Sequence, residues 1–580
     1  MLGEIQSSVV TPIGGLSAAV LVTAALFLLH RALLPKPIPG IPHNKTSARR
    51  ILGDAPDVLR WNKQTKEIWS YIRKLAVDLD SPVIQVFMRP LSRPWVVVCD
   101  FREAQDIQMH RSQEFDRARV LKDIFGELLP NCHVWMPTGD QFKAHRNLIR
   151  DTMSPSFLHG VVGPAIHTKI MAMLHLWKER ARLAQRRPFE GDHDIFRATL
   201  DVILSATFEL EAGTIAAQTA LLEKLDSIAL PADRDSPVVF PNAEDPEAFT
   251  SIRSLLDSVE IGLNSPVPTQ HMRFALAFYP ELSSARKYKN SMIAERVDRA
   301  WKRFGDQKHG DDQVRCALDL LIQRQAQMAR KEHRDPTYDV EAIKGELFGF
   351  IAAGHETTST TICWALKFLT VHQDVQENLR NILQTVYPRA KEAGDVPTTE
   401  EIVNASVPYL DAFIEESHRC GNTVPTIVRH TIKDAVVLGH RIPKGTDVFL
   451  LTNGPSYQSA ALKVDESLRS STSRDSKGRF GDWNTADIDQ FSPERWLTHD
   501  EKGQPRFDPR AGPAHPYGTG QRGCFGSKFA MLELRMIITL VLWCFHLEQT
   551  PPSLSSFAGH DQNTKRAQQV YLRLSETGNW

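Results

Sequence analysis

The stretch that decides the fold is PYGTGQRGCFGSKFA, residues 516–530, in which four glycines surround a single cysteine. Glycine costs about 0.5–1 kcal/mol relative to alanine in regular structure, so such a cluster marks a backbone that turns sharply or approaches something closely. The run from Phe529 to Phe545 is apolar and helix-forming, which places Cys524 at the N-terminal end of a helix. Free amide donors and the positive helix dipole there predict a lowered thiol pKa and a thiolate.

The spacing Gly-x-Gly-x-Arg-x-Cys-x-Gly favours a metal ligand at Cys524 over a buried cysteine in an ordinary turn, which is the alternative for this residue taken alone. The glycines would let the backbone fold around the sulfur and let something broad and flat lie against it. The remaining cysteines are scattered and form no CxxC pair. That distribution argues against a disulfide framework or a cysteine zinc site and for a reducing compartment.

Composition and pattern indicate one large globular domain. The 580 residues contain 69 Lys plus Arg and 69 Asp plus Glu, so no net charge attracts nucleic acid. Downstream of Pro42 helical periodicity dominates, and four short runs are strand-like: SPVIQVFM, RPWVVVCD, DAVVLGHRI and TDVFLL. We expect a mainly α-helical domain with a small β-sheet portion.

The N-terminal segment predicts a membrane anchor. No acidic or basic charge occurs from Ile5 to His30, and basic residues begin at Arg31. A membrane span needs about 20 apolar residues, and positive charge stays cytosolic. We interpret residues 1–34 as an uncleaved anchor, 35–42 (PKPIPGIP) as a stiff connector and 43–580 as the main folded domain. The alternative, a cleaved secretory peptide, lacks its charged n-region here.

A second pattern is AGHETT, residues 353–358, inside a helical run from about 340 to 369. Such a helix is about 45 Å long, enough to cross the domain. Thr357 can donate to the carbonyl four residues earlier and open a local groove, with the Glu356 carboxylate beside it. An ordinary buried helix with a threonine cluster is the alternative.

A third pattern joins Glu416 and Arg419, which share a helix face, to SPERW, residues 492–496. An exposed pair of this kind contributes only a few tenths of a kcal/mol, so the pattern is weak by itself.

In this order the motifs resemble the cytochrome P450 family of haem-thiolate monooxygenases, and the overall layout resembles its fungal microsomal members. YGTGQRGCFG resembles the family's haem-binding loop. The resemblance implies Cys524 as the axial ligand of haem iron, with Tyr517, Gly518 and Gly526 in the cofactor-binding loop. The family usually has phenylalanine where this chain has Tyr517.

The other two motifs match family elements as well. By resemblance, Thr357 hydrogen-bonds dioxygen or its water and Glu356 relays protons, the two catalytic assignments. Glu416, Arg419 and Arg495 match a buried structural network that holds the cysteine loop, whose disruption should cost haem.

Three arginines match partners of the haem propionates: Arg146, Arg429 and Arg522. The planar guanidinium meets a carboxylate bidentately. FKAHR has Phe142 where the family has tryptophan, so only Arg146 of that element is carried over. Asn422 replaces a proline that is common after the Glu-x-x-Arg pair. Lone surface arginines are the alternative.

The resemblance implies the family fold, with haem b (iron protoporphyrin IX) buried between a long central helix and the cysteine-loop helix. It implies insertion of one atom of dioxygen into a substrate. The electrons would come from NADPH through a cytochrome reductase, with cytochrome b5 as a possible second donor. A thiolate ligand favours cleavage of the O–O bond. We expect a single-pass protein of the endoplasmic reticulum membrane, with its catalytic domain in the cytosol. A docking face for the reductase would use Lys143, His145, Arg146 and Arg150.

Candidate pocket walls, again by resemblance, are the 118–130 region and Phe350, Ala353, Val424 and Ile427. Their apolar character suits a lipophilic small molecule, which fungal secondary metabolism would supply. Hydroxylation, epoxidation, desaturation and multi-step oxidation all remain open, as do terpenoid, polyketide, alkaloid and fatty-acid substrates.

Two other functions stay open. A haem-thiolate isomerase or dehydratase would rearrange peroxides without a reductase, and a membrane-tethered haem sensor or carrier would not catalyse at all. Neither needs Glu356 and Thr357, and both residues are present.

Overall fold

The computed structural model describes residues 12–305, 313–333, 339–578 and 580. The first part of the predicted anchor, residues 1–11, lies outside the described residues.

Helices make up most of the described chain, and we number the twenty-two α-helices found there in chain order. They are α1 Pro12–Leu33, α2 Ala55–Thr65, α3 Ile68–Asp78, α4 Phe101–Met109, α5 Arg119–Phe125, α6 Asp140–Ile149, α7 Pro155–Phe157, α8 Gly163–Ala184, α9 Asp192–Phe208, α10 Thr214–Leu222, α11 Glu247–Asp257, α12 Val259–Leu263, α13 Pro268–Phe278, α14 Pro280–Gly305, α15 Ala317–Lys331, α16 Val340–Val371, α17 Gln373–Val386, α18 Pro388–Ala393, α19 Thr399–Asn404, α20 Pro408–Gly421, α21 Ser471–Asp475 and α22 Ser527–Cys544.

The strands of the described chain are short. They are β1 Val83–Val86, β2 Trp95–Val98, β3 Phe115–Arg117, β4 Phe189–Glu190, β5 Thr426–Thr431, β6 Ala435–Val437, β7 His440–Ile442, β8 Asp447–Leu451, β9 Leu497–His499, β10 Pro505–Phe507, β11 Phe545–Glu548, β12 Gly559–Asp561, β13 Lys565–Ala567 and β14 Tyr571–Glu576.

The largest sheet has the strand order β1-β2-β8-β5-β3, and only its β2–β8 pair is parallel. A three-stranded sheet has the order β11-β14-β4, and the pairs β6–β7, β9–β10 and β12–β13 stand apart as small ribbons. Each of the four strand-like runs in the sequence contains at least one of these strands, so the mainly helical fold with a small sheet portion is confirmed.

The helix α16 runs through the main hydrophobic core. It packs against α9, α20 and α22, and most of its residues are buried. Two of its glycines admit another segment at close range: a Cβ on Gly345 would lie 2.4 Å from the carbonyl oxygen of Pro130, and one on Gly349 would lie 2.6 Å from Cys132 Sγ. The segment before α6 therefore rests directly on α16.

The predicted connector is fixed to the domain rather than extended away from it. Gln85 on β1 accepts from the backbone amide of Ile38 at 2.8 Å and donates to the carbonyl oxygens of Ile38 and Ile41 at 2.9 and 2.7 Å. Both isoleucines are buried. The end of α1 is consequently held close to the large sheet.

Two stretches are apolar enough to invite comparison with membrane spans. The Pro155–Ala184 stretch has the length and a mean hydropathy of 1.2, but Ile166, Met173 and Trp177 within it are completely buried, so it is a core helix. The apolar part of α1, Val20–Leu33, is shorter, and its large apolar side chains are exposed, for example Leu21 at 70%.

Candidate functional site

The cysteine loop is folded by backbone that has no room for side chains. Gly518 and Gly520 have φ angles of +64° and +69°, a region that L side chains rarely adopt. A Cβ on Gly520 would lie 2.4 Å from the carbonyl oxygen of Gln108 on α4. The amide of Cys524 donates to the carbonyl oxygen of Tyr517 at 2.8 Å, which closes the loop just before α22 begins.

Cys524 lies on the wall of a cavity of about 440 Å³ and is exposed to that cavity. Burial beneath the surrounding protein raises the pKa of the Cys524 thiol above its ordinary value. The amides of Gly526 and Ser527 and the Arg146 guanidinium lower it, as the sequence predicts, but burial outweighs them. The sequence predicts a lowered pKa for this thiol, and that prediction is wrong when only the protein's own groups act on it. A cation bound at the sulfur would favour the thiolate.

The cavity brings together most of the predicted site residues. Its walls include Thr357, Arg146, Arg429, Arg522, Tyr517, Gly518, Gly526 and all four pocket candidates, Phe350, Ala353, Val424 and Ile427. A Cβ on Gly526 would lie more than 4 Å from every neighbouring atom of the described chain. This glycine therefore faces open space, where a flat group could approach the sulfur.

One end of the cavity carries an excess of positive charge. Arg117 on β3 stands directly opposite Arg429 on β5 in the antiparallel register, and Arg522 lies close to both. Burial and the two neighbouring arginines lower the pKa of Arg117 to about 9, and burial and Arg522 lower that of Arg429 to about 10. Asp116 is the carboxylate of this cluster, 3.3 Å from Arg522 Nη2.

This end fits the two propionates of haem. Nε of Arg117 and Nη1 of Arg522 are buried and have no hydrogen-bond partner among the described residues. Buried donors without partners are rare in folded proteins and mark a missing ligand or water. A dianionic group would bind these donors and offset the repulsion between the arginines. Together with Cys524 and Gly526, the donor set fits haem b.

Arg117 is a residue of the cavity wall that sequence reasoning missed. It occupies the last position of a three-residue strand and belongs to no recognisable motif. Only its register opposite Arg429, more than three hundred residues away in the chain, reveals it.

The two residues of α16 that the sequence predicts to be catalytic, Thr357 and Glu356, lie on different sides of the helix. Thr357 Oγ1 donates to the carbonyl oxygen of Ala353 at 2.6 Å, as predicted, and the backbone stays α-helical throughout. Glu356 lies outside the cavity lining. Its carboxylate accepts from Asn563 at 3.1 Å, from Thr564 at 2.9 Å and from Arg566 at 3.2 Å, all on the β12–β13 ribbon and its turn.

Glu416, Arg419 and Arg495 come together as predicted. Arg419 donates to both oxygens of Glu416 at 2.7 and 2.8 Å, and Arg495 Nε donates at 3.1 Å. The Glu416 side chain is fully buried and also accepts from Trp496 Nε1 at 2.9 Å. Removing one partner of such a buried network costs about 3–5 kcal/mol.

Two departures from the family pattern have local explanations. The Tyr517 hydroxyl lies 3.0 Å from Nε2 of His418, and burial lowers the pKa of His418 to about 4, so that imidazole is neutral. Asn422 has a φ of +50° at the end of α20, and its side chain donates to the carbonyl oxygen of Thr452 at 2.7 Å. Asparagine tolerates this left-handed conformation, whereas proline cannot adopt it.

The element around Arg146 corrects the expected reductase-docking face. Arg146 lies over the Phe525 ring at 4.8 Å and faces the cavity. His145 is buried and its Nδ1 lies 2.7 Å from Glu346. The buried His145 cannot contribute to a surface and Arg146 lines the cavity, so the exposed side chains of the predicted face are those of Lys143 and Arg150.

Comparison with known proteins gives a consistent result. Residues 51–458 and 486–562 match the family model described as Cytochrome P450. The cytochrome P450 monooxygenase GME11363 of Pestalotiopsis microspora is 46% identical over 563 residues, which are 97% of this chain and 98% of that protein. The cytochrome P450 monooxygenase TRI13 of Fusarium sporotrichioides is 34% identical over 582 residues, covering 96% and 98%. The crystal structure of the cytochrome P450DA heme domain superposes with a TM-score of 0.63 at 18% identity, covering 94% of this chain and 97% of that one. That last likeness concerns the fold alone.

We predict that Arg117→Gln has opposite effects on the apoprotein and on haem binding. Losing a buried cation that two arginines repel should raise the apoprotein's free energy of unfolding in urea. Losing a charged hydrogen-bond donor to a propionate should speed haem dissociation about tenfold. Arg441→Gln, at an exposed position paired with Asp434, should change neither quantity. A destabilised apoprotein with unaltered haem dissociation would contradict the assignment.

Proposed function

The chain belongs to the cytochrome P450 family and is an oxidoreductase that binds haem b, and from this premise we propose that it is a membrane-anchored monooxygenase of a lipophilic small molecule. The observation that supports this best is the placement of Cys524 and Thr357 on the walls of one cavity that also carries the arginine cluster. We propose fungal secondary metabolism as its setting, because the relatives above are fungal monooxygenases.

In this proposal Cys524 Sγ would ligate the haem iron. Arg117, Arg146, Arg429 and Arg522 would bind the propionates, Gly518 would shape the cofactor-binding loop, and Gly526 would leave room for the macrocycle. Tyr517 packs beneath the loop on His418. Bound there, haem b supplies activation of dioxygen for the transfer of one oxygen atom to the substrate. The protein's own task is to hold the cofactor, shape the substrate space and deliver protons.

Proton delivery falls to Thr357 and Glu356. The Thr357 hydroxyl donates a hydrogen bond to the Ala353 carbonyl oxygen. The lone pairs of Thr357 Oγ1 are therefore left to accept a hydrogen bond from a donor in the cavity. Glu356 is held on the other side of α16 by Arg566, with Nη2 to Oε1 at 3.0 Å. A proton that passes through Glu356 therefore enters from the β12–β13 side of the helix.

The substrate space lies between α16 and the turn before β5. Phe350, Ala353, Val424 and Ile427 give it apolar walls, and Leu121 of α5 and Met153 add to them. We propose that a lipophilic molecule is hydroxylated or epoxidised here, because such walls bind apolar surface and offer little to a charged group.

We propose that residues 1–34 anchor the protein in the endoplasmic reticulum membrane, facing the cytosol, where an NADPH-dependent reductase supplies electrons. The exposed apolar side chains of α1 support this, since water is a poor solvent for them. The connector fixed to Gln85 would keep the domain at the membrane surface.

Deleting residues 2–34 should move the protein from the membrane fraction to the supernatant, because about 20 apolar residues account for insertion. Fractionation with alkaline carbonate extraction measures this, and haem absorbance checks that the truncated protein still folds. Full-length protein that carbonate extracts from membranes would contradict the anchor.

The rival activity is a haem-thiolate isomerase or dehydratase that needs no reductase. It predicts turnover of an organic peroxide in the absence of NADPH and reductase. The proposed monooxygenase instead consumes NADPH and oxygen only when the reductase is present. Oxygen-electrode measurements with each component omitted in turn separate the two, and they also detect a non-catalytic haem carrier, which would consume nothing.

Thr357→Ala and Glu356→Gln should uncouple NADPH oxidation from product formation. A positioned proton donor contributes roughly 10²–10⁴-fold to rate, so we expect product per NADPH to fall at least about tenfold while peroxide rises. The measurement uses whichever compound of a terpenoid, polyketide, alkaloid and fatty-acid panel is turned over best. Thr385→Ala is a matched control, because Thr385 makes the same backbone bond four residues back, to Asn381 at 2.9 Å, at an exposed position of α17. Unaltered coupling in both site variants would contradict these roles.

A further inference from the structure

The segment 459–485 lies between the two stretches that match the family. It holds a short 3₁₀ turn, Glu466–Leu468, and α21. Much of it is polar and exposed, but Arg469, Ser473 and Trp483 are buried. These buried residues contact the Glu416 network and α4, and α4 itself lies against the cysteine loop through Gln108.

Trp483 covers the Glu416 network. Its ring lies 5.7 Å from the Arg419 guanidinium and 5.5 Å from that of Arg495. It also meets the ring of Trp496 edge-on at 4.9 Å, and Trp496 itself donates to Glu416. One side chain from the 459–485 segment thus touches three of the four residues in the network.

The network holds two guanidiniums that are largely out of water. They share the fully buried carboxylate of Glu416, and Arg495 also pairs with Asp487 at 3.5 Å, whose side chain is 43% exposed. An aromatic face attracts a desolvated cation through its quadrupole. Trp483 offers that face to both guanidiniums and also keeps water away from them.

The same indole reaches the residues just before the cysteine loop. Trp483 Nε1 donates to the carbonyl oxygen of Pro513 at 3.1 Å. A Cβ on Gly512 would lie 2.4 Å from two atoms of the indole ring, so the backbone at Gly512 lies flat on Trp483. The amide of Gly481 donates to the carbonyl oxygen of Arg510 at 2.9 Å and brings the two segments alongside each other.

A second contact reaches the loop from its other flank. Arg469 donates to both carboxylate oxygens of Asp100, the N-cap of α4, at 2.6 and 2.8 Å. Ser470 donates to Asp106 on the same helix at 2.7 Å. At the far end of α4, Gln108 accepts from the amide of Thr519 at 3.0 Å and lies against Gly520. The segment therefore supports both α4 and the Glu416 network.

We propose that the 459–485 segment fixes the position of the cysteine loop, with Trp483 as its positioning residue, and thereby sets how slowly haem leaves the protein. This inference rests on the proposed function, because it presumes that Cys524 ligates haem. Trp483 touches neither cofactor nor substrate. It acts through Gly512, Pro513 and the two arginines.

The test compares Trp483→Leu with Trp483→Phe in the full-length haem-loaded protein. Leucine keeps an apolar side chain but removes the aromatic face, whereas phenylalanine retains that face and loses only the indole donor. Transfer of haem to excess apomyoglobin measures dissociation, and far-UV circular dichroism reports the fold. We expect Trp483→Leu to speed dissociation roughly tenfold, from the loss of two desolvated cation–π contacts, and Trp483→Phe to stay within about threefold of wild type.

Two controls separate positioning from general stability. Trp301→Leu makes the same substitution on the surface of α14 and should leave dissociation unchanged. Gly512→Ala should release haem about as fast as Trp483→Leu, and combining the two should add little, because the added methyl collides with the ring that the second change removes.

Equal dissociation from the leucine and phenylalanine variants, or full additivity with Gly512→Ala, would overturn the proposal while leaving the enzyme's function intact. A wild-type protein that retains no haem would refute the proposed function itself.

Discussion

The structure depends on holding one sulfur atom, Cys524 Sγ, at the wall of a buried cavity. Burial opposes the thiolate form, and the nearby amides and Arg146 only partly offset it. The loop must therefore keep the sulfur where a cation can meet it. The loop does so with its backbone, since a Cβ on Gly520 would collide with α4 and Gly518 has a φ of +64° that L side chains rarely adopt. The rigidity comes from neighbouring elements, among them the Glu416 network on α20 and the 459–485 segment.

The cavity is divided by charge. One end carries Arg117, Arg429 and Arg522 with Asp116 among them, and the region beside α16 and the turn before β5 is largely apolar. A flat cofactor with two carboxylates satisfies the charged end and leaves the apolar region for a substrate. This arrangement links the haem that the family binds to the lipophilic substrate proposed here, without a separate binding domain.

Much of this was predictable where a local pattern carries the information. The extent of α16, the bond from Thr357 to Ala353 and the meeting of Glu416 with Arg419 follow from helix geometry, which relates residues three and four apart. Features set by tertiary contacts could not be predicted. Three of them join residues about two hundred or more positions apart: Arg117 stands opposite Arg429, Glu356 accepts from Arg566 on the β12–β13 ribbon, and His145 is buried against Glu346. The sign of the Cys524 pKa shift likewise depends on burial, which no sequence motif reports.

The most direct test of the thiolate assignment is the absorbance of the reduced, carbon-monoxide-bound protein. We expect wild-type protein to show a Soret band shifted well to the red, and Cys524→His to lose that shift while haem stays bound. A wild-type band without the shift, or an unaltered red-shifted band in Cys524→His, would contradict ligation of the iron by Cys524.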